Sequence, residues 1–127
     1  MVFQPNEDYN KMVMLYIRDN LTYRSSGKPI IIKPRHIWSC NKNCDYLLIC
    51  LTVEYLCIKG LLIRQRNDVS PKATNIIGIS EIGFEYIDLI ENSSIWDKVK
   101  TGFSVDKFLS FINTGLSIAE IITKLSL

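Results

Sequence analysis

Three features of this 127-residue chain predict an α+β fold. A long apolar segment, Cys44–Lys59, runs into Gly60, the residue type that favours the position just after a helix end. Two short runs, Leu61–Arg66 and Asn75–Ile79, follow it as strands and flank a polar loop, which is the pattern of paired strands. Elsewhere apolar residues recur at helical spacing, notably over Tyr9–Ile17 and Val105–Leu125.

Taken in order, Asn6 or Asp8 can cap a first helix that runs to about Leu21, with Tyr9, Met12, Val13, Tyr16 and Ile17 as its core face. Arg24-Ser25-Ser26-Gly27 is a loop by composition. Pro29–Lys33 is a β-branched run expected to form a strand. Pro34 suits the first position of a short helix through Trp38 and Cys40. A third helix then spans Cys44–Lys59, and the strands of the hairpin follow, separated by the loop Asn67–Thr74. Ser80 can cap a helix from Glu81 to about Glu91. Beyond Asn92-Ser93-Ser94 lies Ile95–Lys100, and a last helical stretch covers roughly Val105–Leu125 with a bend expected at Thr114-Gly115. Helix–strand–helix–helix–strand–loop–strand is the order of a winged helix-turn-helix-like domain. The expected architecture is such a domain with a three-stranded antiparallel wing sheet and an added C-terminal helix. The chain then reads as one domain over 1–127, with a winged-helix core at about 6–92 and a C-terminal extension at about 95–127.

Composition narrows the function classes. A hydrophobic content of 47% and a charged content of 22% are ordinary for a globular chain. Met1–Asn10 is polar and carries two acids, unlike a secretory signal. Apolar stretches stop short of the ~18 residues that a membrane span needs. No membrane span is therefore expected, and the expected location is the cytoplasm. His36, Cys40 and Cys44 form an H-x3-C-x3-C run that can bring three ligands onto a helix, but a structural zinc site wants a fourth ligand and usually a second pair elsewhere. Ordinary packing is the expectation for the cysteines, with no metal and no cofactor. His36 is the only histidine and has no acid close in sequence, so a nucleophilic triad has little to build on. The glycines are isolated rather than grouped in a phosphate-cradling loop. An enzyme is not expected.

Surfaces carry the remaining information. At 100° per residue, Leu47, Leu48, Leu51, Tyr55 and Ile58 form one stripe of the third helix, expected to be its core side. Ile49, Val53 and Leu56 lie nearly opposite. A helix that reads base edges wants Arg, Lys, Asn or Gln on its outer face, and this one offers aliphatics and Lys59. On the last helix, Val105, Phe108, Leu109, Ile112, Leu116 and Ala119 share one face, while Phe111, Ile118, Ile121, Ile122 and Leu125 share another. One face can pack on the chain's own core. The other is met by the third helix, a second copy, another protein or a lipid surface, unless both faces are internal to one monomer. Self-association through this helix or a protein partner is the favoured reading, with Trp96, Phe111, Ile118, Ile121, Ile122 and Leu125 as the candidate interface.

Between Arg24 and Lys72 the chain has nine basic residues against three acids, a balance of +6, while the rest of the chain balances at −4. A basic middle can hold phosphates in a salt-sensitive way. The candidate nucleic-acid contacts are Lys33, Arg35, Lys42, Arg64, Arg66 and Lys72, which makes a DNA-binding regulator with a basic wing the alternative reading.

The stretch Ile79-Ser80-Glu81-Ile82-Gly83-Phe84-Glu85-Tyr86-Ile87-Asp88-Leu89-Ile90, followed by Ile95-Trp96-Asp97-Lys98-Val99-Lys100, resembles a signature of small winged-helix proteins of unknown function from bacteria and prophages, the YjcQ-like proteins among them. There a wing strand enters a helix through an L-T-x-x-G-x-x-F/Y-L/I pattern, and a Trp-x-Lys-x-Lys element follows. With Lys59-Gly60-Leu61-Leu62-Ile63 upstream, the resemblance covers about residues 44–100. It implies the fold and a phage or mobile-element origin. One departure is that the third helix lacks the polar outer face usual in such domains.

Overall fold

The computed structural model describes residues 3–92, 96–97 and 103–125, and within the last helix the side chains of residues 118, 122 and 125 lie outside the described set. Helix α1 spans Glu7–Asn20. The Asn6 Oδ1 accepts the amide protons of Asp8 and Tyr9 at 2.9 and 3.1 Å, satisfying two otherwise unpaired donors of the first turn. The helix buries Asn10, Val13, Met14 and Ile17, whereas Tyr9, Met12 and Tyr16 pack at the margin of the core. The expected core face is thus turned by about one residue.

After α1 the chain makes a tight hairpin over Thr22–Ile30, in which the Ile30 N–H donates to the Thr22 carbonyl at 2.8 Å. The strand expected at Pro29–Lys33 is reduced to one bridge, Ile32 with Ile76. Proline has no N–H to donate at position 29, the Ile30 N–H is already engaged, and Pro34 opens helix α2 (Pro34–Ser39) two residues later. Ile32 alone of the run bridges the sheet, through hydrogen bonds of 3.0 and 2.8 Å with Ile76. The three-stranded wing sheet is therefore corrected to a two-stranded antiparallel one, β1 (Leu62–Arg64) with β2 (Ile76–Ile79). Leu62 opposes Ile79 and Ile63 opposes Gly78, and an irregularity then sets Arg64 against Ile76.

Helix α3 covers Tyr46–Ile58, capped by Asp45, whose Oδ1 accepts the Leu48 N–H at 3.2 Å. It ends at Gly60, where the Leu61 N–H donates back to the Leu56 carbonyl. This helix packs on α1, α2, β1 and the 3-10 turn Pro71–Ala73. Its buried side is Ile49, Cys50, Thr52, Val53 and Leu56. That reverses the expected assignment. The stripe taken as core, Leu47 to Ile58, is the outer one, and the stripe thought to need an external cover is the one seated inside.

Helix α4 (Glu81–Glu91) starts at Ser80, whose Oγ accepts the Gly83 N–H at 3.0 Å and donates to the Gly60 carbonyl. A Cβ at Gly83 would lie 2.1 Å from the Leu61 carbonyl oxygen and 2.7 Å from Ile79 Cγ2. The absent side chain is what lets α4 lie against the start of the hairpin. The last helical stretch is two helices, α5 (Val105–Asn113) and α6 (Ile118–Leu125), rather than one bent helix. Gly115 takes a φ of +84°, a conformation that turns the chain out of α5. Helix α6 packs on α4.

The buried cluster runs from Val13 to Ile121 and joins these elements. Most of it is aliphatic, with one aromatic group at the C-terminal side: Tyr86 stacks on Phe103 at 5.8 Å between ring centroids and meets Phe108 edge-on at 5.5 Å. Gly83→Ala should lower unfolding stability by about 2–3 kcal/mol, because a backbone carbonyl cannot yield as a flexible side chain would. Urea denaturation checks this, and an unchanged midpoint would contradict the close approach.

Candidate protein-contact surface

The outer face of α3 is built from the 4-3-4 spacing of Leu47, Leu51, Glu54 and Ile58, which sets the four in one row at helical pitch. Leu47 is 44% exposed and Ile58 64% exposed, with Leu51 and Glu54 half-buried between them. No Arg, Asn or Gln occurs on this helix. The nearest cation, Lys59, is engaged: its Nζ lies 2.7 Å from the Asp106 carboxylate at the start of α5 and near the Tyr55 ring. A row of aliphatics with one carboxylate can exclude water against another apolar surface but offers no donor to a base edge.

The interface expected on the C-terminal helix fares differently. Trp96 is only 3% exposed and packs edge-on to Phe103 at 5.8 Å, with the Lys11 Nζ over its ring. Ile121 is fully buried. Both side chains are used within the chain, so neither offers a surface to a partner. Phe111 is half-buried, with the Lys124 Nζ 5.8 Å from its ring centroid. The side chains of Ile118, Ile122 and Leu125, and residues 95 and 98–100 of the Trp96 element, lie outside the described residues.

The basic residues singled out in the sequence are not gathered in one place. Arg35 and Lys72 lie by the N-terminal half of α3, close enough to act electrostatically on Tyr46 and Cys50, respectively. Arg64 acts on Cys57, about 10 Å further along the helix at 1.5 Å per residue. Arg64 Nε donates to Asn67 Oδ1 at 3.0 Å and Arg66 pairs with Asp68 at 3.2 Å, so both arginines are engaged locally. Arg66 lies beyond the end of β1 and does not share a strand face with Arg64. Lys42 is exposed and sits over the Trp38 ring at 6.0 Å, and Lys33 is half-buried at the start of α2.

The reactive residue types have structural positions. His36 Nδ1 accepts the Lys33 N–H at 3.1 Å and so helps cap α2. Burial pushes the Cys57 thiol up to about 11 and raises that of Cys50, which keeps both protonated near neutrality. Among the described residues, no group of three or more His, Cys, Asp or Glu side chains converges as a metal site would require. No helix of the described residues is long and apolar enough to cross a membrane.

A polar junction that the sequence did not reveal lies at Glu7. Its carboxylate accepts the Tyr86 hydroxyl at 3.0 Å and the Val105 N–H at 3.3 Å, tying the first turn of α1 to α4 and to the start of α5. The Asn10 side chain lies beside it and favours the charged form, yet makes no hydrogen bond of ordinary geometry. Burial raises the Glu7 carboxyl above its usual value of 4.5, outweighing the bonds that favour its charge. Tyr86 is raised well above 10 by burial and by the neighbouring carboxylate.

No family model, curated protein or solved structure matches this chain.

A carboxyl whose folded pKa is raised binds more protons in the native state than in the unfolded chain. Its contribution to stability is fully present below 4.5 and declines as pH rises through the folded value. Glu7→Gln keeps an acceptor for Tyr86 and removes the titration. The stability difference between the parent and this variant should shift against the parent as pH rises from 4.5 toward neutrality. Denaturant titrations across that window check it, and a pH-independent difference would refute the burial argument.

Proposed function

We propose that this chain is a non-enzymatic domain of winged-helix type, of phage or mobile-element origin, that works through protein contacts, and that its first partner is a second copy of itself. The observation that carries this reading is the exposed aliphatic row on the outer side of α3. In a winged helix that position belongs to the helix presented to a target, and an apolar row there favours a protein over a base edge. The row is also self-complementary. In a two-fold antiparallel arrangement, Leu47 of one copy meets Ile58 of the other, and Leu51 meets the methylene stem of Glu54, whose carboxylate stays in water at the edge of the contact. Isologous pairing of this kind is what closed dimers require.

Leu47→Asp and Ile58→Asp should each weaken the dimer by about 2 kcal/mol or more, roughly thirtyfold in affinity. Both side chains are exposed, so cooperative melting should persist. Light scattering over a concentration series reads the mass. A parent chain that stays monomeric throughout would refute self-association.

DNA binding is the second reading, favoured by the exposed Arg35, Lys42 and Lys72 beside the N-terminal half of α3. It predicts binding to random duplex that weakens as salt rises, with a log–log slope reduced by roughly 2 in Arg35→Ala with Lys72→Ala. Fluorescence anisotropy at low salt decides it, since a phosphate binder must register there.

A further inference from the structure

A groove of about 480 Å³ opens between the Thr22–Ile30 hairpin and the outer face of the sheet. Its apolar lining includes Ile30, Ile31 and Ile77, and Arg24, Lys28 and Gln65 supply its polar groups. The volume is that of a small-molecule site, in which an apolar lining and a few polar groups fix one orientation.

The arrangement of the cations is specific. Tyr23 pairs with Pro29 across the hairpin, and the Arg24 N–H donates to the Lys28 carbonyl at 2.8 Å. Arg24 and Lys28 are therefore direct cross-strand partners, and both face the same groove. Like charges directly opposite each other destabilise a strand pair. Among the described residues neither makes an ion pair. Gln65 adds a donor: its Oε1 accepts from Asn75 Nδ2 at 3.1 Å, which leaves its NH2 group for another acceptor.

We infer that this groove binds a small amphipathic anion, an unbranched aliphatic carboxylate, with the head group between Arg24 and Lys28 and the tail over Ile30, Ile31 and Ile77. The charge complementarity chooses the occupant. A carboxylate bound there relieves the repulsion between two opposed cations and accepts their protons in charge-assisted bonds, while the aliphatic tail removes apolar surface from water. A nucleic-acid backbone would satisfy the cations but leave the apolar lining unused. A neutral hydrocarbon would leave the cations opposed.

Decanoate below its micelle-forming concentration is the probe, with decanol and decyltrimethylammonium as controls of equal chain length. Decanoate should give saturable amide shifts at residues 24, 28, 30, 31, 65 and 77 in nitrogen–proton correlation spectra, and bind at least tenfold more tightly than decanol. Arg24→Gln with Lys28→Gln, both at exposed turn positions, should reduce decanoate to the affinity of decanol while the melting transition is retained. Three results would overturn the inference: no saturable shifts at these residues, decanol binding as well as decanoate, or unchanged affinity in the double variant.

Discussion

The seating of helix α3 is the constraint on which the other elements depend. Its inner row, Ile49, Val53 and Leu56, is packed among α1, α2 and β1, and burying each such side chain contributes roughly 1.5–3 kcal/mol. The helix is apolar on nearly every side, so several rotations would bury comparable area. What selects one is the set of fixed points at its ends. Asp45 caps the N-terminus, and the Asp45 N–H donates to the Tyr9 hydroxyl at 3.0 Å, which anchors that end to α1. At the other end the chain reverses at Gly60, and Leu61 enters the core beside Gly83. With both ends held, the row from Leu47 to Ile58 has no place inside.

The second half of the fold is built on that first half through contacts that are few and close. Helix α4 can approach the hairpin only because position 83 has no side chain. Ser80 caps α4 while also bonding to the turn that closes α3. Glu7 then draws α1, α4 and α5 to one point, and the Arg18–Glu91 ion pair at 2.7 Å repeats the α1–α4 link near the far end of the two helices. The aromatic group of Tyr86, Trp96, Phe103 and Phe108 fills the space those contacts enclose. Position, more than residue type, therefore decides which apolar groups are available to a partner.

Two surfaces emerge from this packing, on different elements and of different chemistry. The α3 row is aliphatic with one acid and suits a partner that excludes water. The groove beside the hairpin combines an apolar lining with two opposed cations and suits a single anionic head group. Arg64 and Arg66 belong to neither, since each is engaged by a residue two or three positions further along the chain.

The sequence by itself determined the local events. Asn6 and Ser80 cap helices because their side chains can accept amide protons, Gly60 ends a helix because glycine tolerates positive φ, and Pro34 opens one because its lost N–H is not needed there. These depend on residues within a few positions of each other. Only the tertiary structure decided which face of α3 turns inward, because two apolar rows of similar character differ only in what lies opposite. It also decided that Trp96 and Ile121 are interior, and that the Pro29–Lys33 run makes one bridge instead of a strand. The Glu7 junction joins residues 79 and 98 positions apart. No periodicity in the chain marks such a contact, because hydrogen bonds of that range exist only once the helices have been packed.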